Sequence, residues 1–252
     1  MDQLFGNNQD APTVLAAPQR NQYFYGKLLD ATHLQMEQEY FNGKRWLTNL
    51  LLQGTGVVSG LAVVPAVNGT RVAIQPGVAL DGWGREIIVP ASSVPFDPRA
   101  LTDEKGNTTG TVNGAGPITI WLCYDECGVD PTPVMVASCN PAGDCAPSGA
   151  REQYIISVKS GNVVPAPIAC NFSGLFKSPP PDLHAALATR VSQPYADPAS
   201  GAGAVLLAQI NLPASGAITS AMIDNTVRPV VVSNQLLLEV LFCLSQSVQL
   251  KP

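Results

Sequence analysis

The sequence predicts an α+β fold that is mainly β, with short strands and hairpins, an N-terminal amphipathic helix and a C-terminal apolar helix. The 252 residues include 22 Pro and 22 Gly, a content typical of many short strands joined by turns. Apolar runs recur between residues 56 and 90, and one segment near each end has apolar residues in a helical pattern. The hydrophobic content of 46% is sufficient for a packed core.

Residues 1–22 are polar, with little periodicity, and are predicted to form an extended or partner-ordered arm. Their first part, MDQLFGNNQDAPTV, has no basic region followed by an apolar run, so it does not resemble a secretory signal. We therefore expect assembly in the cytoplasm.

The first helix is predicted over residues 32–53, ending before Gly54. Thr32 and Gln35 form a capping-box pattern at its start. Its apolar positions recur at near-helical spacing, at Leu34, Met36, Tyr40, Leu47, Leu50 and Leu51. Charged residues occupy another face: Glu37, Glu39, Lys44 and Arg45.

A β-meander is predicted from residue 56 to residue 90, from the runs VVSGLAVV, RVAIQPGVAL and REIIVP. Asn-Gly at residues 68–69 and Asp-Gly at residues 81–82 mark its turns.

The stretch PGVALDGWGREIIVP contains a cluster of polar side chains that is either a turn or an acid–base site. We predict a turn, in which Gly82 and Gly84 provide backbone geometry with positive φ and Asp81 and Arg85 make structural contacts. Strand alternation sends Arg85 and Glu86 to opposite faces, which disfavours joint catalysis.

Two further strands are predicted at ITIWLCY (residues 118–124) and EQYIISV (residues 152–158). The insert between them, about residues 123–150, has no periodicity, so we expect a local staple to stabilise it. Four thiols fall within it: Cys123, Cys127, Cys139 and Cys145. They allow a zinc site, a disulfide between Cys139 and Cys145, or unpaired thiols, and the spacing does not match a zinc ribbon. Cys170 and Cys243 are interpreted as buried thiols.

Residues 23–170 are predicted to form a helix plus β-rich domain, residues 171–203 a Pro-, Gly- and Ala-rich linker, and residues 204–252 a C-terminal segment. That segment contains the strand AVLLAQINLP and a helix that starts after Ser233 as N-cap and runs to about residue 248. Residues 236–244 are apolar nearly all round, so this helix is expected to be buried on more than one side.

Composition disfavours several classes of function. A net charge of −5 and a pI near 4.9 provide no basic field for nucleic acid. No run approaches the roughly 20 apolar residues that span a bilayer. The chain has no Walker A, G-x-S-x-G or G-x-G-x-x-G motif. His33 with Glu37 is interpreted as a solvated helix face, and no catalytic or cofactor-binding residue is predicted.

Several motifs in a fixed order carry a resemblance to a known group. They are an aromatic-Gly-Lys-Leu-Leu segment, a helix with Glu-Gln then Tyr-Phe, the strand entry GTGVVSGL, the hairpin ALDGWGRE and WLCYDEC. Together, over about residues 21–158, they resemble a component of phage-tail-like contractile injection systems of the extracellular or thylakoid-anchored kind. Residues 205–231 are similar to segments of phage tail and baseplate attachment proteins.

The resemblance implies a structural subunit, not an enzyme. It implies an adaptor between the terminal cap and the tube and sheath, or else a baseplate or spike-proximal plug, in a homo-oligomeric ring that we expect to be sixfold. A second class stays open: a carbohydrate-binding module or enzyme with Trp83, Trp121 and Tyr124 as a stacking surface and Asp125 and Glu126 as polar contacts.

Overall fold

The computed structural model describes residues 15, 17–133, 145–164, 182–199, 201–234 and 237. The described protein is mainly β, with small sheets and an N-terminal helix. The α-helices within these ranges are α1 (Ala31–Thr48) and α2 (Leu183–Val191). The strands are β1 (Gly56–Gly60), β2 (Val63–Ala66), β3 (Arg71–Ile74), β4 (Gly77–Leu80), β5 (Glu86–Val89), β6 (Ala100–Thr102), β7 (Thr108–Thr111), β8 (Gly116–Pro133), β9 (Cys145–Ser160), β10 (Ala204–Leu212) and β11 (Ile223–Asp224).

Helix α1 starts one residue earlier than the sequence predicts. Its N-cap is Asp30, whose carboxylate accepts a hydrogen bond from the His33 N–H, so the predicted capping box at Thr32 is wrong. Aspartate is as good an N-cap as threonine, and the earlier residue takes the role. A π-helical turn at Asn49–Gln53 extends the helix, which ends at Gly54 as predicted. No residue of α1 is buried.

The five strands after α1 do not form a simple meander. β1, β4 and β5 make one antiparallel sheet, whereas β2 and β3 make a separate hairpin. Leu61 is fully buried with a φ of 57°, and the chain leaves the sheet there between β1 and β2. The three predicted runs do lie in strands, but VVSGLAVV is divided into β1 and β2, and RVAIQPGVAL into β3 and β4. The predicted meander is therefore wrong, because local patterns do not encode long-range partners.

The larger sheet has six strands in the order β11-β10-β8-β9-β6-β7. One cluster of buried residues joins it to the sheet of β1, β4 and β5, so both belong to one core. The main contributors are Val57, Leu61, Ile74, Ala79, Ile87, Ile118, Ile120, Leu122, Leu207 and Ile210. β10, from the predicted C-terminal segment, lies inside this sheet next to β8.

The insert predicted to lack periodicity is largely a β-ribbon. β8 and β9 continue to pair beyond the sheet as far as Pro133 opposite Cys145. We call residues 124–133 and 145–154 the ribbon. Pairing of β10 with β8 ends at Cys123, so in the described part of the chain the outer edge of β8 has no strand partner along the ribbon. No residue of the ribbon is buried among those whose burial is described, so it lacks the core-facing apolar run by which the other strands are recognised in the sequence.

The predicted linker contains α2. Asp182 caps this helix by accepting hydrogen bonds from the N–H groups of His184 and Ala185. Asp followed by an Ala-rich stretch was the available sequence signal. The predicted C-terminal helix lies outside the described residues except for Asn234 and Leu237. The N–H of Leu237 donates a hydrogen bond to the Ser233 carbonyl. Over the described ranges, no helix has both the length and the apolar character that crossing a membrane requires.

Candidate functional site

The hairpin between β4 and β5 is closed by hydrogen bonds of its own backbone. The N–H of Asp81 donates to the Arg85 carbonyl at 3.0 Å, and the N–H of Gly84 donates to the Asp81 carbonyl at 3.0 Å. Residues 82–84 therefore form the turn itself, as the Asp-Gly pattern predicts. We call residues 81–86 the hairpin junction.

The carboxylate of Asp81 is completely buried within this junction. Its Oδ1 accepts hydrogen bonds from the N–H groups of Trp83 at 2.9 Å and Arg85 at 2.8 Å, and its Oδ2 accepts one from Arg85 Nε at 2.7 Å. Burial raises the pKa of Asp81, and the charge of Arg85 and the N–H donors offset part of this rise. Both oxygens are occupied by donors of the same loop, so the predicted structural contacts of Asp81 and Arg85 are confirmed.

The guanidinium of Arg85 connects the junction to the base of the ribbon. Arg85 is only 5% exposed, and its guanidinium carbon lies 4.7 Å from the centre of the Tyr124 ring, a cation–π distance. A Cβ on Gly203 would approach Arg85 Nη2 to 3.0 Å. Glycine at residue 203 therefore lets the segment before β10 lie against the buried cation.

The two glycines of the turn are required for different reasons. Gly84 has a φ of 84°, and a Cβ there would overlap the carbonyl oxygen of Trp46 in α1. Gly82 has no positive φ, so the prediction was wrong on this point. Its N–H donates to the Ala202 carbonyl at 2.7 Å, and a Cβ would lie 2.6 Å from the Ala202 Cβ. Close approach, not φ, excludes a side chain at Gly82.

The C-terminal end of α1 docks on the same junction. Asn49 Nδ2 donates to the Gly84 carbonyl at 2.9 Å and to Glu86 Oε1 at 2.8 Å. Arg45 Nε lies 3.2 Å from Glu86 Oε1. Arg85 is buried and Glu86 is partly exposed, consistent with their predicted opposite faces. The junction therefore lies between β4 and β5 of the smaller sheet and contacts both the end of α1 and the base of the ribbon.

The structure repeats this loop at an exposed position between β6 and β7. Asp103 N–H donates to the Asn107 carbonyl, and Gly106 N–H donates to the Asp103 carbonyl. Asp103 Oδ1 accepts from the N–H groups of Lys105 and Asn107, two and four residues later, as in the junction. Gly106 has a φ of 80°. The pair of loops provides matched controls, because only the junction is buried.

An apolar groove that sequence patterns did not reveal lies beside α1. Its volume is about 530 Å³. One face of α1 lines it, together with the arm and two later segments, and the main apolar lining residues are Met36, Tyr40, Leu47, Leu50, Trp83 and Tyr195. The apolar stripe of α1 therefore faces a groove instead of a packed core.

The three aromatic residues considered for carbohydrate stacking do not share a surface. Trp121 and Tyr124 are three residues apart on β8, so their side chains leave opposite faces of the strand. Lys159 Nζ lies 5.2 Å from the centre of the Trp121 ring, Tyr124 contacts Arg85, and Trp83 lines the groove. The geometry gives no argument for a stacking platform.

The structure does not bring together the three described thiols of the insert. Cys123 and Cys127 are four residues apart on β8, a separation of roughly 13 Å. Cys145 pairs with Pro133, six residues beyond Cys127. Among the described residues, no group of three His, Cys, Asp or Glu side chains is placed to hold a metal ion. Cys139, Cys170 and Cys243 lie outside the described residues, so zinc and the disulfide stay predictions.

Cys123 is expected to resist alkylation in the native protein. It is 4% exposed, and burial raises the pKa of its thiol to about 12, so almost no thiolate forms near neutral pH. Iodoacetamide labelling read by peptide mass spectrometry should modify the partly exposed Cys127 at least about tenfold faster than Cys123. Denaturant should abolish the difference, and equal native rates would contradict the assigned burial.

Neither histidine forms a metal pair with a neighbouring carboxylate of its helix. His33 Nδ1 lies 2.6 Å from Asp30 Oδ1, whereas Glu37 accepts a hydrogen bond from the Tyr23 hydroxyl. The backbone N–H of His184 donates a hydrogen bond to the carboxylate of Asp182, the N-cap of α2. The proposed solvated face of α1 agrees with this arrangement.

No protein-family model matches the chain, and a search of curated proteins finds no match.

Proposed function

We propose that the protein is a structural adaptor subunit of a contractile injection particle, joining the terminal cap to the tube and sheath. The observation that carries the proposal is an apolar surface on residues 23–29, α1 and the π-helical turn Asn49–Gln53, which we call the outer surface. Its members are at least 47% exposed: Tyr23, Phe24, Tyr25, Leu28, Leu29, Leu34, Phe41, Leu51 and Leu52. Monomeric soluble proteins rarely expose large apolar patches, and those that they do expose often mark interaction sites.

The outer surface coincides with part of the resemblance. The segment QYFYGKLL provides five of its members, and α1 provides Leu34 and Phe41. The hairpin ALDGWGRE forms the junction that fixes the end of α1 to the body. The motifs that resemble a particle component therefore form two features: the exposed apolar surface, and the hairpin junction that holds the end of α1 against the body.

The ribbon provides a second surface suited to assembly. A two-stranded ribbon is only marginally stable alone, and its open edges can accept further strands. The outer surface and the ribbon are different parts of one chain. A head-to-tail ring needs two such different surfaces, so the pair supports the proposed ring, which we expect to be sixfold.

Replacing Phe24 and Tyr25 by glutamate is expected to abolish incorporation into particles without unfolding the subunit. Both side chains are more than two-thirds exposed, so their loss costs the folded monomer little. Their burial in a contact would contribute about 1.5–3 kcal/mol each, and incorporation should fall roughly 100-fold or more. Quantitative mass spectrometry of purified particles measures this loss.

Val94→Glu is the matched control, because Val94 is 84% exposed and lies apart from the outer surface in the sequence. It should be incorporated normally. Undiminished incorporation of the double variant would exclude the outer surface as the contact. Absence of the unmodified chain from every particle class seen by cryo-electron microscopy would end the proposal itself.

A further inference from the structure

The groove face of α1 has the spacing of a coiled-coil seam. Met36, Tyr40, Gly43, Leu47 and Leu50 follow one another at intervals of four, three, four and three residues, and all five line the groove. This alternation is the heptad pattern by which one helix packs along another. None of the five is buried, and no described helix other than α1 and its π-helical extension lines the groove. The seam therefore has space for a second helix.

The glycine at the centre of this seam is not required by the subunit itself. Gly43 lies inside α1, where glycine is less favourable than alanine. A Cβ at this residue would meet no atom of the described chain within 4 Å. The space above Gly43 is open to the backbone of a second helix, which can approach a glycine more closely than any other residue.

Two charged residues flank the seam, one on each side. In heptad notation Tyr40 is position a and Gly43 is position d, so Glu39 is position g and Lys44 is position e. Both charged residues line the groove. Each is hydrogen-bonded to a neutral side chain of α1, and neither belongs to an ion pair in the described part of the chain.

We propose that the groove binds α1 of a second copy of this chain, and that the two helices run parallel. In a parallel pair, position g of one helix faces position e in the next heptad of the other helix. Glu39 of each copy then faces Lys44 of the other copy, so the pair contains two ion pairs. An antiparallel pair would bring g to g and e to e, and Glu39 would not meet Lys44. The charges therefore favour the parallel pair.

This pairing uses a face of α1 that differs from the outer surface. Leu34 and Phe41 of the outer surface do not line the groove. Trp83 and Tyr195 line its other walls and would add apolar contacts to the second helix. The inference does not rest on the proposed particle role.

A charge-swap experiment with the full chain tests the facing charges. Glu39→Lys and Lys44→Glu should each raise the dissociation constant of the homodimer at least about tenfold, because each turns two attractive contacts into two repulsive ones. An equimolar mixture of the two variants should form a heterodimer about as stable as the unmodified dimer, since every facing pair then has opposite charges. Sedimentation velocity and native mass spectrometry measure both effects. Gln38→Lys is the control, because Gln38 is exposed on α1 and does not line the groove.

Gly43→Cys tests the direction of the two helices. Equivalent d positions lie side by side in a parallel pair, and the subunit has space for a side chain at Gly43. Mild oxidation should link residue 43 of one copy to residue 43 of the other, as detected by mass spectrometry of unreduced peptides. Gln38→Cys should not form the equivalent link.

Three results would overturn the proposal: a monomeric chain at about 50 µM, absence of the heterodimer in the mixture, or absence of the link at residue 43. Phe24→Glu with Tyr25→Glu should leave the pair intact, because neither side chain lines the groove. Loss of the pair in this variant would assign self-association to the outer surface and would also overturn the proposal. None of these readouts depends on particles.

Discussion

Asp81→Ala is expected to lower the free energy of unfolding by about 3–5 kcal/mol, measured by chemical denaturation. The substitution removes the acceptor of three hydrogen bonds and leaves the Arg85 guanidinium buried without an anion. The sequence alone predicts a loss of about 1 kcal/mol from one local hydrogen bond. The structure gives the larger loss because Asp81 and Arg85 are both buried, and the Asp-Gly pattern in the sequence does not show this burial.

Asp103→Ala is the matched control for this prediction. Asp103 makes the same two backbone contacts in the same type of loop, but it is partly exposed and has no buried guanidinium beside it. The Asp103→Ala variant should lose much less unfolding free energy than the Asp81→Ala variant. Equal losses at the two sites would mean that the loop geometry, not the buried pair, carries the stability.

A second substitution separates the two contributions of the pair. Adding Arg85→Met to Asp81→Ala removes the unpaired charge and should recover part of the lost stability. Burial raises the pKa of Asp81, so the pair itself gains little over an apolar replacement. Absence of recovery would show that the backbone hydrogen bonds to Asp81 carry most of the effect.

The sequence correctly predicted those parts of the fold that are determined by residues close together in the chain. The turn at Asp81, the end of α1 at Gly54 and the strands on the core side of both sheets follow from glycine geometry and from alternation. β1 pairs with β4 and not with β2, the next strand in the chain, and no local pattern reveals this pairing. The ribbon has no buried face in the described part of the chain, so its strands carry no core-facing apolar run in the sequence.

The site was predictable only in part. Asp81, Arg85 and the glycines stand out in the sequence as a turn, but the close approach of Ala202 to Gly82 and of Trp46 to Gly84 depends on distant segments. The groove likewise needs α1, Trp83 and Tyr195 to be placed together. The apolar stripe of α1 was visible, and the surface that it faces was not.

Gly84→Ala is expected to release α1 from the body. The substitution forces alanine to a φ near 84° and drives its Cβ into the Trp46 carbonyl, so the docked arrangement should lose about 2–5 kcal/mol. The Asn49 side chain would then lose its acceptor at Gly84. Hydrogen exchange should rise across α1 and the turn at Asn49–Gln53, while the core strands β8 and β10 keep their protection.

Gly106→Ala isolates the part of this loss that comes from the helix. Gly106 has nearly the same φ in the same loop type, but a Cβ there would meet only Ile155 Cγ2, at 3.4 Å. It should cost about 1 kcal/mol from backbone strain and leave exchange in α1 unchanged. If Gly84→Ala also left α1 protected, contact with the hairpin junction would not be what holds the helix. Some other contact would then have to hold α1 in place, because α1 can present its apolar residues to a partner only if the helix is fixed to the body.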